Sequence, residues 1–529
     1  MLLEPIARGD GMWLYDFEGN RYSDSISSWG AVTMTTNGIY RAFYGDDKGA
    51  RLPAIPFLMS MRIRFIVLLL AVLPATVCAA ALNRLPASIA AALAQAGVPE
   101  SEVGVYVHDL TSDREVLSFG ADRALNPAST MKLLTTFAAL ELLGPAYTWK
   151  TEAWLDGKLD GDRLEGNLVL KGYGDPKFSV ESLWLFLRDL RNRGVRDITG
   201  DLLLDRSFFA VDNHDPALFD SEPSRPYNVG PDALLINYKA FRLQFVPDEK
   251  RQAVGIFSDP ALPQLRLVNN LRLGPGSCDT WPGKPGIDEN TLTFSGVFPS
   301  GCGEKFRYFS LLSANEYAAT LFRQFWQQVG GSWSGRVLDA ELAATAELFI
   351  TWQSPPLSEL IREVNKFSIN VMARQIFLTL GVREDPPATL EKSQRTLREW
   401  LVRRGLSFPE LVVENGAGLS RVDRINSRHL AQVLIAAYRS PFMPEYMASL
   451  PLTAIDGTMR RRLNNSPVAG QAHVKTGYIE GVRALAGYTL DVRGRMLVVV
   501  LIINHPGAND AQPVQDALLE WVYAGQTGR

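Results

Sequence analysis

Three short clusters in this chain combine hydroxyl, amine and amide side chains at spacings that suit nucleophilic catalysis. Ser129 and Lys132 stand three positions apart in the segment NPASTMKLLTTFAALELLGP. Ser368 and Asn370 flank one residue in NKFSINVMARQ, and Lys475 opens the tripeptide KTG in HVKTGY. An amine with a lowered pKa can accept the proton of a neighbouring hydroxyl and so activate it as a nucleophile. These residues are therefore the first candidates for an active site.

The segment 126–145 is predicted to be a helix that presents Ser129 and Lys132 on one face. Asn126 and Pro127 suit its start, and a Gly-Pro pair suits its end. Near the amino terminus of a helix, free N–H groups stabilise developing negative charge at the hydroxyl. The surrounding Met, Leu and Phe side chains are expected to desolvate the lysine, and desolvation lowers the pKa of an amine.

Each cluster also has a purely structural interpretation. An S-x-x-K spacing arises by chance about once in a chain of this composition, and its lysine can extend to solvent. Ser368 and Asn370 could cap a helix or form a turn, and Lys475 could protect an edge strand from aggregation. The KTG tripeptide is rare by chance, and the three clusters in this order favour the catalytic interpretation.

Composition limits the classes of function that remain. The chain has 529 residues, 46% hydrophobic and 21% charged, so it can bury a sizeable core over roughly three or four domains. A net charge of −3 gives no basic excess for binding nucleic acid. Five histidines and three cysteines are scattered without metal-ligand spacing, so no metal site is predicted.

A secretory signal peptide is predicted at residues 61–80. The segment MRIRFIVLLLAVLPATVCAAAL starts at Met61 with two arginines, continues with a short apolar run and reaches small residues around Cys78. A membrane anchor is the alternative, but the apolar run is shorter than the roughly 20 residues that span a bilayer. The sequence therefore predicts export to the periplasm and removal of this segment.

The residues before the signal segment carry a separate resemblance. PIARGDGMWLYDFEGNRYSDSISSWG, residues 5–30, resembles the start of class III pyridoxal-phosphate-dependent aminotransferases. The match ends there and none of that family's cofactor-binding core follows, so no cofactor is predicted. We interpret residues 1–60 as a spurious or disordered extension, with translation starting at Met59 or Met61.

The coarse secondary structure predicts an α+β fold. A helix in LPASIAAALAQAG and a hairpin of EVGVYVHDL with REVLSFG precede the Ser129 segment. Three strands in AHVKTGYIEG, RALAGYTLDV and RMLVVVLIIN and a final helix lie near the other end. We expect these two parts, residues 81–148 and 310–529, to share one antiparallel sheet flanked by helices. The strand-rich, turn-rich residues 149–309 are predicted to be β-rich domains inserted between them.

The motifs S-x-x-K, S-x-N and K-T-G together resemble those of penicillin-binding proteins and serine β-lactamases. The long interval between the first two motifs, and stretches such as GYGDPKF, YNVGPDALLIN, ENGAGLSRVDRI and LPLTAIDGTMRRR, are similar to one family in particular. This family is the D-alanyl-D-alanine carboxypeptidases/endopeptidases, the class C low-molecular-mass penicillin-binding proteins, and the resemblance covers about residues 85–510. It implies a β-lactamase/transpeptidase-like domain with extra domains inserted between the first and second motifs.

The resemblance implies a role for each candidate residue. Ser129 is the expected nucleophile and Lys132 its base, Ser368 relays a proton, Asn370 holds a substrate amide, and Lys475 supplies positive potential. On the same strand, the substrate-binding residues are Thr476, Gly477 and Tyr478. Thr476 is expected to bind a terminal carboxylate, and the backbone N–H of Tyr478 to share an oxyanion with that of Ser129. The middle residue of the second motif, Ile369, and the later Arg374 stand where acidic residues are frequent in the family.

The implied substrates are peptidoglycan stem peptides, with β-lactams as covalent inhibitors. Neither nucleic acid nor a cofactor is expected, whereas peripheral association with the membrane or the cell wall is compatible with this interpretation. Export to an oxidising compartment makes Cys278 and Cys302 a candidate disulfide, with two free buried cysteines as the alternative. A serine β-lactamase, and a non-catalytic cell-wall binding or sensor protein, remain alternative functions.

Overall fold

The structure is a computed structural model and describes residues 81–211, 214–278, 283–382 and 385–525. Nearer the amino terminus it describes β1 (Arg8–Asp10), β2 (Trp13–Tyr15) and β3 (Arg21–Ser23), which pair antiparallel in that order. The remainder of the predicted extension and the predicted signal peptide at 61–80 lie outside the described residues. Within these described ranges, no helix combines the length and the hydropathy that a membrane span requires.

Beyond residue 80 the elements follow one another in three stretches. The first contains α1 (Ala87–Gln95), β4 (Val103–Asp109), β5 (Arg114–Phe119) and α2 (Met131–Leu143). The second contains β6 (Lys150–Asp160), β7 (Arg163–Gly172), α3 (Val180–Asn192), β8 (Asp197–Ile198), β9 (Leu202–Asp205), β10 (Phe241–Asp248), β11 (Ala253–Asp259), β12 (Arg266–Gly274), β13 (Gly286–Asp288), β14 (Thr291–Pro299), β15 (Lys305–Phe309), α4 (Ala314–Gln328), β16 (Ser332–Trp333), β17 (Val337–Asp339) and β18 (Glu347–Gln353). The third contains α5 (Leu357–Phe367), α6 (Asn370–Gly381), α7 (Leu390–Arg403), α8 (Ser427–Tyr438), α9 (Met443–Ser449), β19 (Ala472–Ile479), β20 (Val482–Leu490), β21 (Met496–Asn504) and α10 (Gln512–Tyr523).

The first and third stretches form one antiparallel sheet in the order β19-β20-β21-β4-β5. Strand β21 is apolar along almost its whole length because both faces of the sheet are covered. Val500 belongs to the core on one face and its neighbour Leu501 to the core on the other, as alternation along a strand requires. The predicted α+β fold, with its hairpin and three carboxyl-terminal strands, is confirmed.

Helices form a layer on each face of this sheet. Helices α1 and α10 pack on one face, and α2 with α5 to α9 packs on the other. Helix α2 is buried from Met131 through Leu140, so it is a core helix rather than an amphipathic surface helix. It ends at Gly144, whose φ of 89° is open to glycine and strained for other residues. The helix that carries Lys132 is therefore enclosed on all sides.

The second stretch is an insertion with its own hydrophobic core. Its largest sheet runs β16-β8-β7-β6-β18, with β9 pairing both β7 and β17. Two three-stranded sheets, β11-β10-β15 and β12-β14-β13, contribute side chains such as Phe245 and Phe294 to the same core. Amphipathic helices α3 and α4 cover this core.

The predicted carboxyl boundary of the insertion, residue 309, is wrong by more than forty residues. Helix α4 packs on the insertion's core through Leu321 and Phe322, and β18 pairs antiparallel with β6 as far as Gln353. The return of helical patterning after residue 310 marked a change of secondary structure and not a change of domain. The insertion therefore extends from about residue 150 to 353, and the carboxyl part of the domain that contains β19 to β21 begins with α5.

Cys278 and Cys302 form a disulfide in this structure. The bridge joins the segment after β12 to the 3₁₀ turn Ser300–Cys302, just before β15. The bond therefore joins the segments that follow β12 and β14, two paired strands of one small sheet of the insertion, and it is the pairing that the sequence predicts.

The packing of α2 generates the first prediction. The ring of Phe137 is fully buried and contacts Trp400 and Tyr446, with ring centroids 5.3 and 5.5 Å apart. Phe137→Ala leaves a cavity there, so we expect it to lower the free energy of unfolding by about 3–5 kcal/mol in urea titrations. Phe137→Leu, which keeps most of the volume, should lose only about 1–2 kcal/mol. Equal losses for the two variants would contradict this account.

Candidate active site

Ser129 lies on a 3₁₀ turn, Ala128–Thr130, that leads directly into α2. The sequence predicted that the helix would begin around Asn126; the α-helix instead begins at Met131. Asn126 still acts at its start, because its Oδ1 accepts a hydrogen bond from the backbone N–H of Ala128 at 2.9 Å. The turn keeps Ser129 partly exposed while the residues on either side are buried.

Reciprocal hydrogen bonds hold this turn against the central sheet. The N–H of Asn126 donates to Asn504 Oδ1 at 2.7 Å, and Asn504 Nδ2 donates to the Asn126 carbonyl at 3.0 Å. Asn126 Nδ2 also donates to the carbonyl of Ser420 at 2.8 Å. The position of Ser129 is therefore set jointly by the end of β21 and by the loop that follows α7.

Lys132 is fully buried, and its amino group is directed at Ser129. The Nζ atom lies 3.0 Å from Ser129 Oγ, 2.7 Å from Asn370 Oδ1, and within hydrogen-bond distance of the Ala417 carbonyl. The last two oxygens can only accept hydrogen bonds, so they take both hydrogens of an unprotonated amine. The nitrogen lone pair is then left for the hydroxyl of Ser129.

The surroundings of Lys132 favour this unprotonated state. Burial lowers the pKa of Lys132 well below its ordinary value, and the positive charges of Lys475 and Arg374 lower it further. The carboxyl of Asp423 acts in the opposite direction. A desolvated amine beside a hydroxyl is the arrangement that general-base activation of a nucleophile requires.

The second motif bridges two helices. Ser368 ends α5 in the left-handed conformation, with φ 59° and ψ 38°, and Asn370 is the first residue of α6. This sharp junction turns the hydroxyl of Ser368 toward Lys475, whose Nζ donates to Ser368 Oγ at 2.8 Å. It turns the amide of Asn370 toward Lys132. The two polar residues of the S-x-N motif thus contact different buried lysines. Ser368 contacts Lys475, and Asn370 contacts Lys132.

Lys475 lies on β19, the edge strand of the sheet, and is fully buried. Burial lowers its pKa to about 7. Gly477, two residues later, permits a close approach, since a Cβ atom there would lie 2.7 Å from the Pro127 carbonyl and 3.1 Å from the nitrogen of Ser129. The backbone of β19 therefore runs against the turn that carries the hydroxyl.

Two further residues of β19 lie on either side of Gly477. The hydroxyl of Thr476 lies 2.9 Å from that of Thr458. The side chain of Tyr478 is half exposed, and the guanidinium of Arg483 lies 4.5 Å from its ring centroid. The structure thus gathers Ser129 with every motif residue that the sequence singled out as catalytic or substrate-binding, while the disulfide lies within the insertion.

Sequence reasoning assigned no role to the loop ENGAGLS, residues 414–420. Its Ala417 carbonyl binds Lys132, and the Gly416 carbonyl accepts a hydrogen bond from Thr135 Oγ1 at 2.7 Å. Gly418 has a φ of 73°, and a Cβ atom there would lie only 1.9 Å from the Ala128 carbonyl. The pair of glycines around one alanine was the available signal for a loop packed tightly against another backbone.

The insertion also supplies a group to the site. The Nδ2 of Asn370 donates to the backbone carbonyl of Tyr227 at 3.2 Å, in the 3₁₀ turn Pro226–Asn228. Because that carbonyl can only accept, it fixes which end of the amide faces Lys132. No sequence signal could have found this contact, since any residue at position 227 carries the same carbonyl.

The chain is similar to known proteins over most of its length. The model of the D-Ala-D-Ala carboxypeptidase 3 (S13) family matches residues 85–524. The D-alanyl-D-alanine carboxypeptidase DacB of Haemophilus influenzae is 23% identical over 421 residues, 78% of this chain and 88% of that protein. The D-alanyl-D-alanine carboxypeptidase of Actinomadura sp. (strain R39) is 27% identical over 455 residues, 83% of this chain and 84% of that protein.

A solved structure gives the same picture of the fold. The crystal structure of penicillin binding protein 4 (dacB) from Haemophilus influenzae superposes with a TM-score of 0.67 at 23% identity, covering 82% of this chain and 99% of that one. The Haemophilus protein has also been crystallised in complex with a β-lactam. The family match spans both the catalytic domain and its insertion, and the chain therefore belongs to the D-Ala-D-Ala carboxypeptidase 3 (S13) family.

Proposed function

We propose that this protein is a serine D-Ala-D-Ala carboxypeptidase that also cleaves D-alanyl cross-links of peptidoglycan, through an acyl-enzyme on Ser129. The observation that carries this proposal is the hydrogen bonding of Lys132. Its two acceptors, Asn370 Oδ1 and the Ala417 carbonyl, leave the lone pair of a desolvated amine for the hydroxyl of Ser129. Membership of the S13 family supports the choice of substrate.

In the first step, Ser129 Oγ attacks the carbonyl carbon between two D-alanine units, and its proton passes to Lys132 Nζ. The backbone N–H groups of Ser129 and Tyr478 are the proposed donors to the oxyanion, each typically worth about 10²–10³ in rate. The C–N bond then breaks, and Ser368, bonded to Lys475, relays the proton that Lys132 accepted to the departing amine of D-alanine, so that Lys132 becomes neutral again. Water hydrolyses the ester and restores the hydroxyl of Ser129.

The terminal carboxylate of the substrate is the group for which Lys475 and Thr476 are suited. A protonated Lys475 places a positive charge beside Ser368, and Thr476 offers a hydroxyl donor from the same strand. The proposed substrate is a stem peptide ending in D-Ala-D-Ala, and a β-lactam is proposed to acylate Ser129 in the same way.

We further propose that the enzyme acts in the periplasm. The Cys278–Cys302 disulfide supports this location, because such bonds persist in oxidising compartments and are rare in the cytosol. The signal-like segment at residues 61–80 is the proposed route of export.

The acyl-enzyme is tested by intact-protein mass spectrometry of the full chain mixed with benzylpenicillin and sampled over time. We expect a long-lived adduct that Ser129→Ala abolishes, together with release of D-alanine from a peptide ending in D-Ala-D-Ala. A fleeting adduct with rapid hydrolysis of the drug would instead indicate a β-lactamase. No adduct and no D-alanine release would favour a non-catalytic binding or sensor protein.

The titration of Lys475 predicts how substrate affinity depends on pH. Because its pKa is lowered to about 7, Lys475 is charged below pH 7 and loses that charge as the pH rises. The KM for a peptide with a free carboxylate should therefore rise about tenfold between pH 6 and pH 8. An ester substrate with an uncharged leaving group is the control and should show little change. The same pH dependence for both substrates would contradict this role of Lys475.

The close approach of Gly418 to the Ser129 turn gives a matched pair of variants. Gly418→Ala should displace the turn and slow acylation on the order of 10²-fold, since misplacement by about 1 Å is sufficient. Gly470→Ala is the control, because Gly470 has nearly the same φ, 72°, and no atom lies within 4 Å of its Cβ position. Acylation rates measured with benzylpenicillin should separate the two variants, and similar rates would refute the claim.

A further inference from the structure

Arg374 stands one turn after Asn370 on α6 and has no part in the mechanism above. The structure buries its side chain, with 5% of the surface exposed. Its Nη1 donates to the carbonyl of Val229 in the insertion. Burial lowers its pKa to about 10, so the guanidinium remains charged at neutral pH.

Arg374 is one of several residues of α6 that bind the same segment of the insertion. Asn370 donates to the carbonyl of Tyr227, and Arg374 donates to the carbonyl of Val229. Gln375 then exchanges two hydrogen bonds with the backbone of Asp232, at 2.7 and 3.0 Å. The segment 227–232 is therefore bound along α6 at successive points.

This binding has a consequence for Lys132. The amide of Asn370 is shared, with Oδ1 accepting from Lys132 and Nδ2 donating to the Tyr227 carbonyl. If the segment moved away, the amide could rotate and present its NH₂ group to Lys132. Two donors would then face each other, and the amine lone pair would no longer be reserved for Ser129.

The charge of Arg374 acts on the same amine. Lys132 is faced by Lys475 from β19, by Arg374 from α6 and by Asp423 from the loop after α7. Two of these groups are cations at a fully buried site, where charges are poorly screened. Glu414 partly offsets the charge of Arg374. An acidic residue at position 374 would favour a proton on Lys132, whereas arginine disfavours it.

We propose that Arg374 is a positioning residue that couples the insertion to the catalytic amine. It holds the segment 227–232 on α6, which orients Asn370, and its positive charge adds to the burial that disfavours a proton on Lys132. This inference rests on the proposed role of Lys132 as the base that activates Ser129.

The test separates charge from packing by comparing two variants of the full chain. Arg374→Gln retains an N–H donor for the Val229 carbonyl and loses the charge, whereas Arg374→Lys retains the charge. We expect Arg374→Gln to move the acid limb of the acylation rate with benzylpenicillin to higher pH by about one unit. Acylation is then about tenfold slower on that limb and little changed at alkaline pH. Arg374→Lys should keep the wild-type limb.

A direct titration makes the result independent of turnover. NMR of ¹³C-labelled lysine should show a higher pKa for Lys132 in Arg374→Gln than in the wild type, even if the protein proves to have no acylation activity. Arg398→Gln, at an exposed position on α7, is the matched control for loss of an arginine and should change neither readout. Arg374→Met replaces Arg374→Gln if circular dichroism shows that the latter does not fold.

The proposal is overturned by either of two results. One is an unchanged pKa of Lys132 together with an unchanged acid limb in the charge-removing variant. The other is an equal loss of acylation by Arg374→Gln and Arg374→Lys at every pH, because that pattern describes a structural role alone.

Discussion

The active site depends on the exclusion of one amino group from water. A buried ammonium ion is costly, and the chain lowers that cost by favouring the neutral amine at Lys132. Helix α2 is buried from Met131 through Leu140, so water is excluded from the surroundings of Lys132. A neutral amine has two hydrogens to donate, and Asn370 Oδ1 and the Ala417 carbonyl accept both of them. The negative charge of Asp423 favours a proton on Lys132, but this carboxyl ionises less readily than usual, since burial raises its pKa to about 6. In the proposed mechanism, desolvation thus serves both the packing of the domain and the activation of Ser129.

The groups around this amine come from distant parts of the chain. The hydroxyl precedes α2, the amide opens α6, a second lysine lies on β19, and a carbonyl comes from the loop after α7. The insertion contributes the Tyr227 carbonyl that orients Asn370. The insertion is therefore in hydrogen-bond contact with the candidate site, because the same amide of Asn370 bonds both Tyr227 and Lys132.

Side chains made much of this site predictable from sequence, and backbone groups did not. The motifs of Ser129, Lys132 and Lys475 identified residues that the structure brings together, and apolar patterning identified the hairpin and the three strands that build the sheet. The contributions of Ala417 and Tyr227 are carbonyls, which every residue has, so no letter in the sequence marks them. The insertion boundary failed for a related reason: the amphipathic pattern of α4 shows that it packs on a core and does not show which one.

Because β4 pairs with β21, the site is assembled late in the synthesis and folding of the chain. Val105 lies opposite Leu501, so two neighbouring inner strands of the sheet are almost 400 residues apart in the chain. Strands so far apart in the chain pair slowly, because bringing them together costs conformational entropy in the long segment between them. Asn504, at the end of β21, also completes the hydrogen bonds that hold the turn of Ser129. Under the proposed mechanism, Ser129 therefore becomes reactive only after β21 has been synthesised and has paired with β4.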